Sequence, residues 1–397
     1  MSTQALNVVF VDDEQKILDG LRRQLRAHRQ EWEMRFANSG EEALKLMAQQ
    51  PADIVVSDMR MPGMTGAELL TRVQDIYPQT TRIIFSGQTD PSDVLSAIGC
   101  IHQYVQKPCD GNVLCDSIER TRLLARQLSQ SSLRLAVSRL KALPPASETY
   151  HALVDELSKE NANLPRISDL IASDPAMTAK VMQLVNSAFF GMPRRVDSPR
   201  DAVVLLGLTT IHSIVVAGRL FDFVSQGASQ QSAISGLWQA SVKIGESAAR
   251  LARQSGASEK VASQARLCGL LSLIGRVVLL TSTAQLFEQV IARVGSNSSS
   301  YTEAEDVIYG ATQDEVTAYA LGLWGFTDQI VEAVALQSHP TLLPAGKKND
   351  LLACVHLARA IHVSTVAEMD AGVSLDADFL CNRGLSDLIP EQMRIAA

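Results

Sequence analysis

Apolar positions fall into two regimes along the chain. Over residues 1–125, short apolar runs alternate with amphipathic stretches. The runs are Val8-Val9-Phe10-Val11, Met34-Arg35-Phe36-Ala37, Ile54-Val55-Val56-Ser57-Asp58, Arg82-Ile83-Ile84-Phe85-Ser86 and Gln103-Tyr104-Val105-Gln106-Lys107. Short runs of this kind suit buried strands. Between them, Ile17, Leu18, Leu21 and Leu25, and then Ala43, Leu44 and Met47, recur at helical spacing. Strands alternating with helices predict an α/β unit, a doubly wound five-stranded parallel sheet covered on both faces.

Residues 126–143 change character. They carry Arg126, Arg134, Arg139 and Lys141 with no acid, and no Gly or Pro precedes Pro144-Pro145. The last helix of the first unit is therefore expected to run on through them. Ile118, Ala125, Leu128 and Leu135 fall near heptad spacing, interrupted by Thr121, Ser132 and Arg139. That pattern allows a dimerising coiled coil or a single amphipathic connector. From residue 144 onward the pattern predicts an all-α bundle. Helices are expected over 168–185, broken at Asp174-Pro175, and over 201–206 and 210–220, split by Gly207. Further helices are expected over 238–253, 262–280, 304–322, 327–337 and 350–363, with a serine-rich loop at 296–300. Asp174 before Pro175 reads as an N-cap with proline at the first helical position. The tail from Ala371 is ambiguous. The expected division is thus 1–125, a connector at 126–143, a helical domain at 144–365 and a C-terminal segment at 366–397.

At 397 residues the chain is too long for one core. Its hydrophobic share of 46% excludes disorder over most of its length. The net charge of −7 speaks against nucleic-acid binding through overall charge. Residues 144–397 hold 19 basic against 26 acidic residues, the wrong sign for a basic recognition helix. No unbroken apolar run of membrane-spanning length occurs and nothing reads as an export signal, so a cytoplasmic protein is expected. The six cysteines form no Cys-x-x-Cys pair and are expected to be reduced.

The predicted strand ends carry the chemistry. Asp12 and Asp13 end the first strand, Asp58 the third, Ser86 the fourth and Lys107 the fifth. In a doubly wound sheet these ends lie side by side. Three carboxylates in one crevice call for a hard divalent cation such as Mg²⁺. An aspartate can act as a nucleophile towards a phosphoryl group, with lysine and hydroxyl beside it holding the phosphoryl oxygens. The chemistry implied is metal-assisted phosphoryl transfer to a carboxylate.

The segments Val11-Asp12-Asp13-Glu14, Ser57-Asp58-Met59-Arg60-Met61-Pro62-Gly63-Met64-Thr65-Gly66, Phe85-Ser86-Gly87 and Lys107-Pro108 closely resemble the receiver domains of two-component response regulators. The resemblance covers residues 5–125. It implies a flavodoxin-like sheet of order 2-1-3-4-5. It implies that Asp58 accepts phosphate from a histidine kinase or phosphotransfer protein. Asp13, Asp58 and the backbone carbonyl of Arg60 would bind Mg²⁺, with Asp12 acting through a bound water. Ser86 and Lys107 would hold the phosphoryl group, and Tyr104 matches the family's switch aromatic. Taken by itself, Tyr104 also fits a surface aromatic on an edge strand.

The stretches Ile171-Ala172-Ser173-Asp174-Pro175-Ala176-Met177, Leu184-Val185-Asn186-Ser187-Ala188-Phe189-Phe190-Gly191 and Asp201-Ala202-Val203-Val204-Leu205-Leu206-Gly207-Leu208 resemble the HDOD domain, an all-helical relative of the HD metal-dependent phosphohydrolases. This match spans residues 140–340 and continues more weakly to 365. Asn186, Ser187 and Gly191 also read as a helix-end cap and tight turn. HD hydrolases need clustered His and Asp ligands. Where relatives carry a His-Asp pair, this chain has Ser272 and Leu273, and Arg359 stands where a downstream Asp is expected. Gln239-Ala240-Ser241 follows Trp238, where relatives often place a His, and His339 matches only a helix-end histidine.

The reading is a phosphorylation-dependent response regulator whose helical domain is not an enzyme and acts by protein–protein contact. Its partners would be the kinase, a downstream protein and a second copy of the chain through residues 113–143, with no nucleic acid and no membrane. The first alternative is an HD-type phosphohydrolase, such as a cyclic-dinucleotide phosphodiesterase. A DNA-binding transcriptional regulator is the second.

Overall fold

The computed structural model describes residues 5–87, 100–107, 111–128, 131–139, 147–159, 161–186, 196–216, 228–297, 300–344, 347–363, 375–383 and 385–390. The first unit holds strands β1 (Leu6–Val11), β2 (Trp32–Ala37), β3 (Ile54–Ser57), β4 (Thr81–Ser86) and β5 (Gln103–Gln106). All neighbours are parallel and the order is β2-β1-β3-β4-β5. Helices α1 (Gln15–Gln24), α2 (Gly40–Gln49), α3 (Gly66–Ile76) and α4 (Gly111–Gln127) connect and cover it.

Strand side chains alternate between two buried clusters, as the pleat requires. Val8, Phe10, Ile54, Val56, Ile83, Phe85 and Val105 pack with Leu18 and Leu21 of α1 and with Leu114 and Ile118 of α4. Val9, Val11, Val55, Ile84 and Tyr104 face the other way, into a cluster that includes Ala43 and Met47 of α2 and Leu70 of α3. Both faces are apolar because both are covered. The second cluster does not stop at the edge of the α/β unit. It continues without a break into the helical half of the chain.

The helical half contains α5 (Ser131–Arg139), α6 (Ser147–Leu157), α7 (Leu164–Ala172), α8 (Pro175–Asn186), α9 (Pro199–Val216), α10 (Ala228–Gln254), α11 (Glu259–Leu271), α12 (Ile274–Ser282), α13 (Ala284–Asn297), α14 (Tyr301–Tyr309), α15 (Gln313–Leu323), α16 (Asp328–Ala335), α17 (Asp350–Val363) and α18 (Ala377–Cys381). Asp174 caps α8 as the sequence predicts, its carboxylate accepting the Met177 N–H at 2.8 Å. Gly207 breaks α9 with φ +72°, ψ 163°. Asn186 ends α8 and ties down the returning chain, accepting from Val196 N at 2.7 Å and donating to Val196 O at 2.9 Å. Ser187 and Gly191 lie outside the described residues.

Three expected helices are divided. The helix expected to run on through residues 126–143 bends at Leu128 and restarts at Ser131. Ser131 and Ser132 open α5, and serine favours helix starts over helix interiors. The bend lets Leu128, Leu133 and Val137 bury against the helical half. Ile118 and Leu128 of the proposed heptad seam are thereby buried inside this chain, and α5 packs on α12 and α15. The helix expected over 262–280 breaks at Ser272-Leu273, where Gly275 comes so close to α15 that a Cβ there would lie 2.0 Å from Gln313 O. The helix expected over 304–322 breaks at Gly310, whose φ of +67° supplies the left-handed cap.

The stretch Glu259–Ser282 is long and apolar enough to cross a membrane, but 83% of its 18-residue apolar window is buried within the fold. No disulfide joins the described cysteines, Cys100, Cys115, Cys268, Cys354 and Cys381. Helices α10 and α11 approach closely through two glycines. A Cβ on Gly269 would lie 2.7 Å from the Gly245 Cα. Gly269→Ala should therefore force the two helices apart and cost about 1–3 kcal/mol. A lowered urea midpoint with an unchanged slope checks this.

Candidate functional site

The carboxyl ends of β1, β3, β4 and β5 bring the predicted polar residues together. Lys107 Nζ donates to Asp12 Oδ2 at 2.5 Å and to Asp58 Oδ1 at 2.7 Å. Asp12 is buried, Asp58 half-buried and Asp13 exposed. Asp12 Oδ1 accepts the Glu14 N–H at 2.9 Å, and Asp58 Oδ2 accepts the Arg60 N–H at 2.7 Å. Ser86 is buried at the end of β4, and its carbonyl accepts the Lys107 N–H at 2.7 Å. The Lys107 ammonium also lies 5.1 Å from the centre of the Phe85 ring. Pro108 lies outside the described residues.

The loop after Asp58 is built to hold it. Gly63 takes φ +80°, and Thr65 and Glu68 form a capping box at the start of α3. Gly66 N donates to Met59 O at 2.9 Å. A side chain at Gly66 would meet the Asp58 carbonyl at 2.0 Å. Glycine at that position lets α3 begin directly beneath the acid.

Burial pushes the Asp12 carboxyl up. Lys107 and the Glu14 N–H oppose that push, and the charge of Asp58 adds to it. Burial alone would lower the Lys107 ammonium, but its hydrogen bonds to Asp12 and Asp58 and the charges of those carboxylates outweigh it, and the net shift is upward. One ammonium serves the Asp12 and Asp58 carboxylates, and Asp13 follows on the exposed side, so the three acids exceed the lysine by two negative charges. A divalent cation with oxygen ligands matches that excess. The residues present therefore fit Mg²⁺.

Tyr104 is 2% exposed and belongs to the cluster shared by both halves, which removes the surface-aromatic alternative. Beside it Gln103 Nε2 donates to Leu323 O of α15 at 3.2 Å. Arg120 of α4 pairs with Asp328 at 2.8 Å and donates to Phe326 O. These junction residues were not evident in the sequence, because a lone arginine on an amphipathic helix reads as solvated surface.

In the helical half, Ser272, Arg359 and their surroundings form a buried polar network. Arg359 NH1 donates to Asp314 Oδ1 at 3.1 Å and Ser338 Oγ at 3.3 Å. Gln337 Nε2 donates to the same Asp314 oxygen at 2.8 Å and to Ser272 O at 3.0 Å. Leu273 is wholly buried and apolar. His356 is also fully buried. Its ring contacts Gln337 O at 2.8 Å and accepts the Asp376 N–H at 3.0 Å, so it fastens the C-terminal segment. Burial holds it below the usual imidazole range. His339 is exposed just before a short 3₁₀ turn.

Lys107→Met should leave Asp12 and Asp58 facing each other without a cation. We expect a loss of about 1–3 kcal/mol at neutral pH. The gap to wild type should narrow as pH falls, since acid removes the Asp12 charge that Lys107 offsets. In wild type the contribution of the raised lysine should persist until pH rises above 10.5. Urea titrations of both proteins across pH check both trends.

Residues 8–119 match the response regulator receiver domain, and residues 143–340 match the HDOD domain. The hydrogenase transcriptional regulatory protein HoxA of Cupriavidus necator is 36% identical over 122 residues, which is 30% of this chain and 25% of that protein. An uncharacterized protein of Treponema pallidum is 22% identical over 230 residues, 55% of this chain and 44% of that protein. The chain spans only a quarter to a third of the length of the first curated relatives it matches. Among solved structures, a fragment of the MmoQ response regulator of Methylococcus capsulatus has a TM-score of 0.49 at 22% identity, covering 64% of this chain and 94% of that one. A receiver domain of an HD domain-containing protein from Pseudomonas fluorescens is 32% identical, with a TM-score of 0.29, over 30% of this chain and 95% of that one. With an N-terminal receiver and a C-terminal HDOD domain, the chain belongs to the response regulators whose output domain is HDOD.

Proposed function

We propose that Asp58 is the phosphoacceptor and that its phosphorylation switches a non-catalytic HDOD domain acting by protein contact. The observation that carries the first part is the sharing of Lys107 Nζ between Asp12 and Asp58. A histidine kinase, the partner that a receiver implies, or a phosphotransfer protein would supply the phosphoryl group. An Asp58 carboxylate oxygen attacks phosphorus, the bond to the phosphohistidine nitrogen breaks, and the imidazole leaves with that electron pair. Asp13, Asp58 and the Arg60 carbonyl would hold Mg²⁺, with Asp12 acting through a bound water, and the ion would supply charge neutralisation at the phosphoryl oxygens. Lys107 exchanges part of its contact with Asp58 for a phosphoryl oxygen, and the Ser86 hydroxyl turns towards another. Residues 1–125 act as the switch, 126–143 as connector and 144–365 as output, in the cytoplasm.

The route to the output runs along β5. Lys107 follows its last residue, Tyr104 lies in the shared core and Gln103 bonds to α15. Movement of Ser86 and Lys107 is therefore felt at the junction four residues away. The output reads as non-catalytic because the Asp314 carboxylate is already met by the Arg359 guanidinium, a tethered cation at the place expected for a metal ligand. Leu273 offers no donor atom. The partners are a downstream protein or, through surfaces other than the buried connector positions, a second copy.

Incubation with acetyl phosphate and Mg²⁺ should add one phosphoryl group to the intact protein by mass spectrometry. Asp58→Asn should add none, and equal labelling of that variant would refute the assignment. The output reading is tested separately with cyclic dinucleotides and Mn²⁺ or Fe²⁺. No turnover above the protein-free rate is expected. Turnover that Asp314→Asn removes would favour the phosphohydrolase alternative.

A further inference from the structure

We propose a second metal site, for a transition-metal dication of the Zn²⁺ class, on the face of the receiver away from the phosphorylation crevice. Its ligands are His28, Glu31 and Glu119, whose donor atoms all lie within 4.8 Å of one another. The three come from two separate pieces of chain. His28 ends the 3₁₀ turn after α1, Glu31 immediately precedes β2, and Glu119 lies on α4.

Each ligand position is anchored by contacts of its own. The Glu31 N–H donates to His28 O at 2.9 Å, closing the turn that sets the two side chains together. Leu6 N donates to Glu31 O at 2.9 Å, fixing that turn to the start of the inner strand β1. The His28 ring stacks on Trp32 at 4.3 Å between centroids and 16° between planes. Trp32 is itself buried, and its indole N–H donates to Glu119 Oε1 at 2.7 Å. One rigid indole therefore orients the imidazole by its face and the carboxylate by its edge. This is the outer-shell arrangement that fixes ligands around a metal.

The donor chemistry selects the ion class. One imidazole nitrogen with two carboxylates suits Zn²⁺ better than Mg²⁺ or Ca²⁺, which favour all-oxygen shells. Two carboxylates also balance a divalent charge. Tetrahedral bonds of roughly 2.0–2.2 Å put donors about 3.4 Å apart. Glu31 is the exposed member, and a small side-chain rotation there closes the remaining gap, with water as the fourth ligand. The bound ion would clamp the start of β2 to α4. Glu119 precedes Arg120, the residue that grips Asp328 and Phe326 O of the HDOD domain, so the clamp would steady the helix that holds the junction.

The test is calorimetric titration of the full chain with Zn²⁺ alone. It is done in excess Mg²⁺, to occupy the carboxylate crevice, and in a Cys381→Ser background, to remove the exposed thiol. One ion per chain is expected, with affinity at least tenfold weaker in Glu31→Gln and in Glu119→Gln. Both variants keep the fold within reach: Glu31 is exposed, and a glutamine at 119 still accepts from Trp32. Circular dichroism verifies that they are folded. Zn²⁺ should also raise the melting temperature of the parent and not of the variants. Absence of binding by the parent, or binding of equal strength in both folded variants, overturns the site.

Discussion

Everything in the receiver is arranged around one ammonium group. Lys107 is held 2.5 Å from Asp12 and 2.7 Å from Asp58. Neither carboxylate could be so deeply placed without it, since isolated ionised acids are costly to bury. The parallel sheet brings the three groups together from strands distant in sequence. The apolar alternation of those strands makes the sheet, and the glycine at position 66 lets the loop close under Asp58. An arrangement balanced on one shared cation is sensitive to any new charge, and a phosphoryl group adds a large one.

The same strand that presents Lys107 also meets the HDOD domain. From Gln103 to Lys107 is about 13 Å of extended chain. Tyr104 lies between them in a core that both domains share. Arg120 reaches across from α4 to Asp328, and the bent connector lays α5 against α12 and α15. The two domains are joined by packed side chains and by hydrogen bonds as well as by the chain. In our proposal, a local change at the crevice becomes a change in how the output domain is held.

The sheet and its crevice were legible because their signals are local. Short apolar runs ending in acid, hydroxyl or lysine place each group at a strand end, and topology does the rest. The helix breaks at Leu128 and Ser272-Leu273 were not legible, since no Gly or Pro stands near the first, and Gly275 beside the second gains its meaning only from the approach of α15. Gly310 did carry a signal, outweighed by the apolar periodicity on either side. The Arg120 clamp and the Arg359–Asp314 pair join residues far apart in sequence, and no spacing rule reaches them. His356 reads as an isolated histidine in the sequence, and only the folded chain brings Gln337 and Asp376 to its two nitrogens.

The central claim is that the state of Asp58 is transmitted to the HDOD domain through β5 and α4. Hydrogen exchange of the full chain with and without beryllofluoride and Mg²⁺ tests it most directly. The account predicts altered protection in β5, α4, α15 and α16 of wild type and no alteration in Asp58→Asn. Changes confined to the loops around Asp58, with α15 and α16 unaffected, would contradict it.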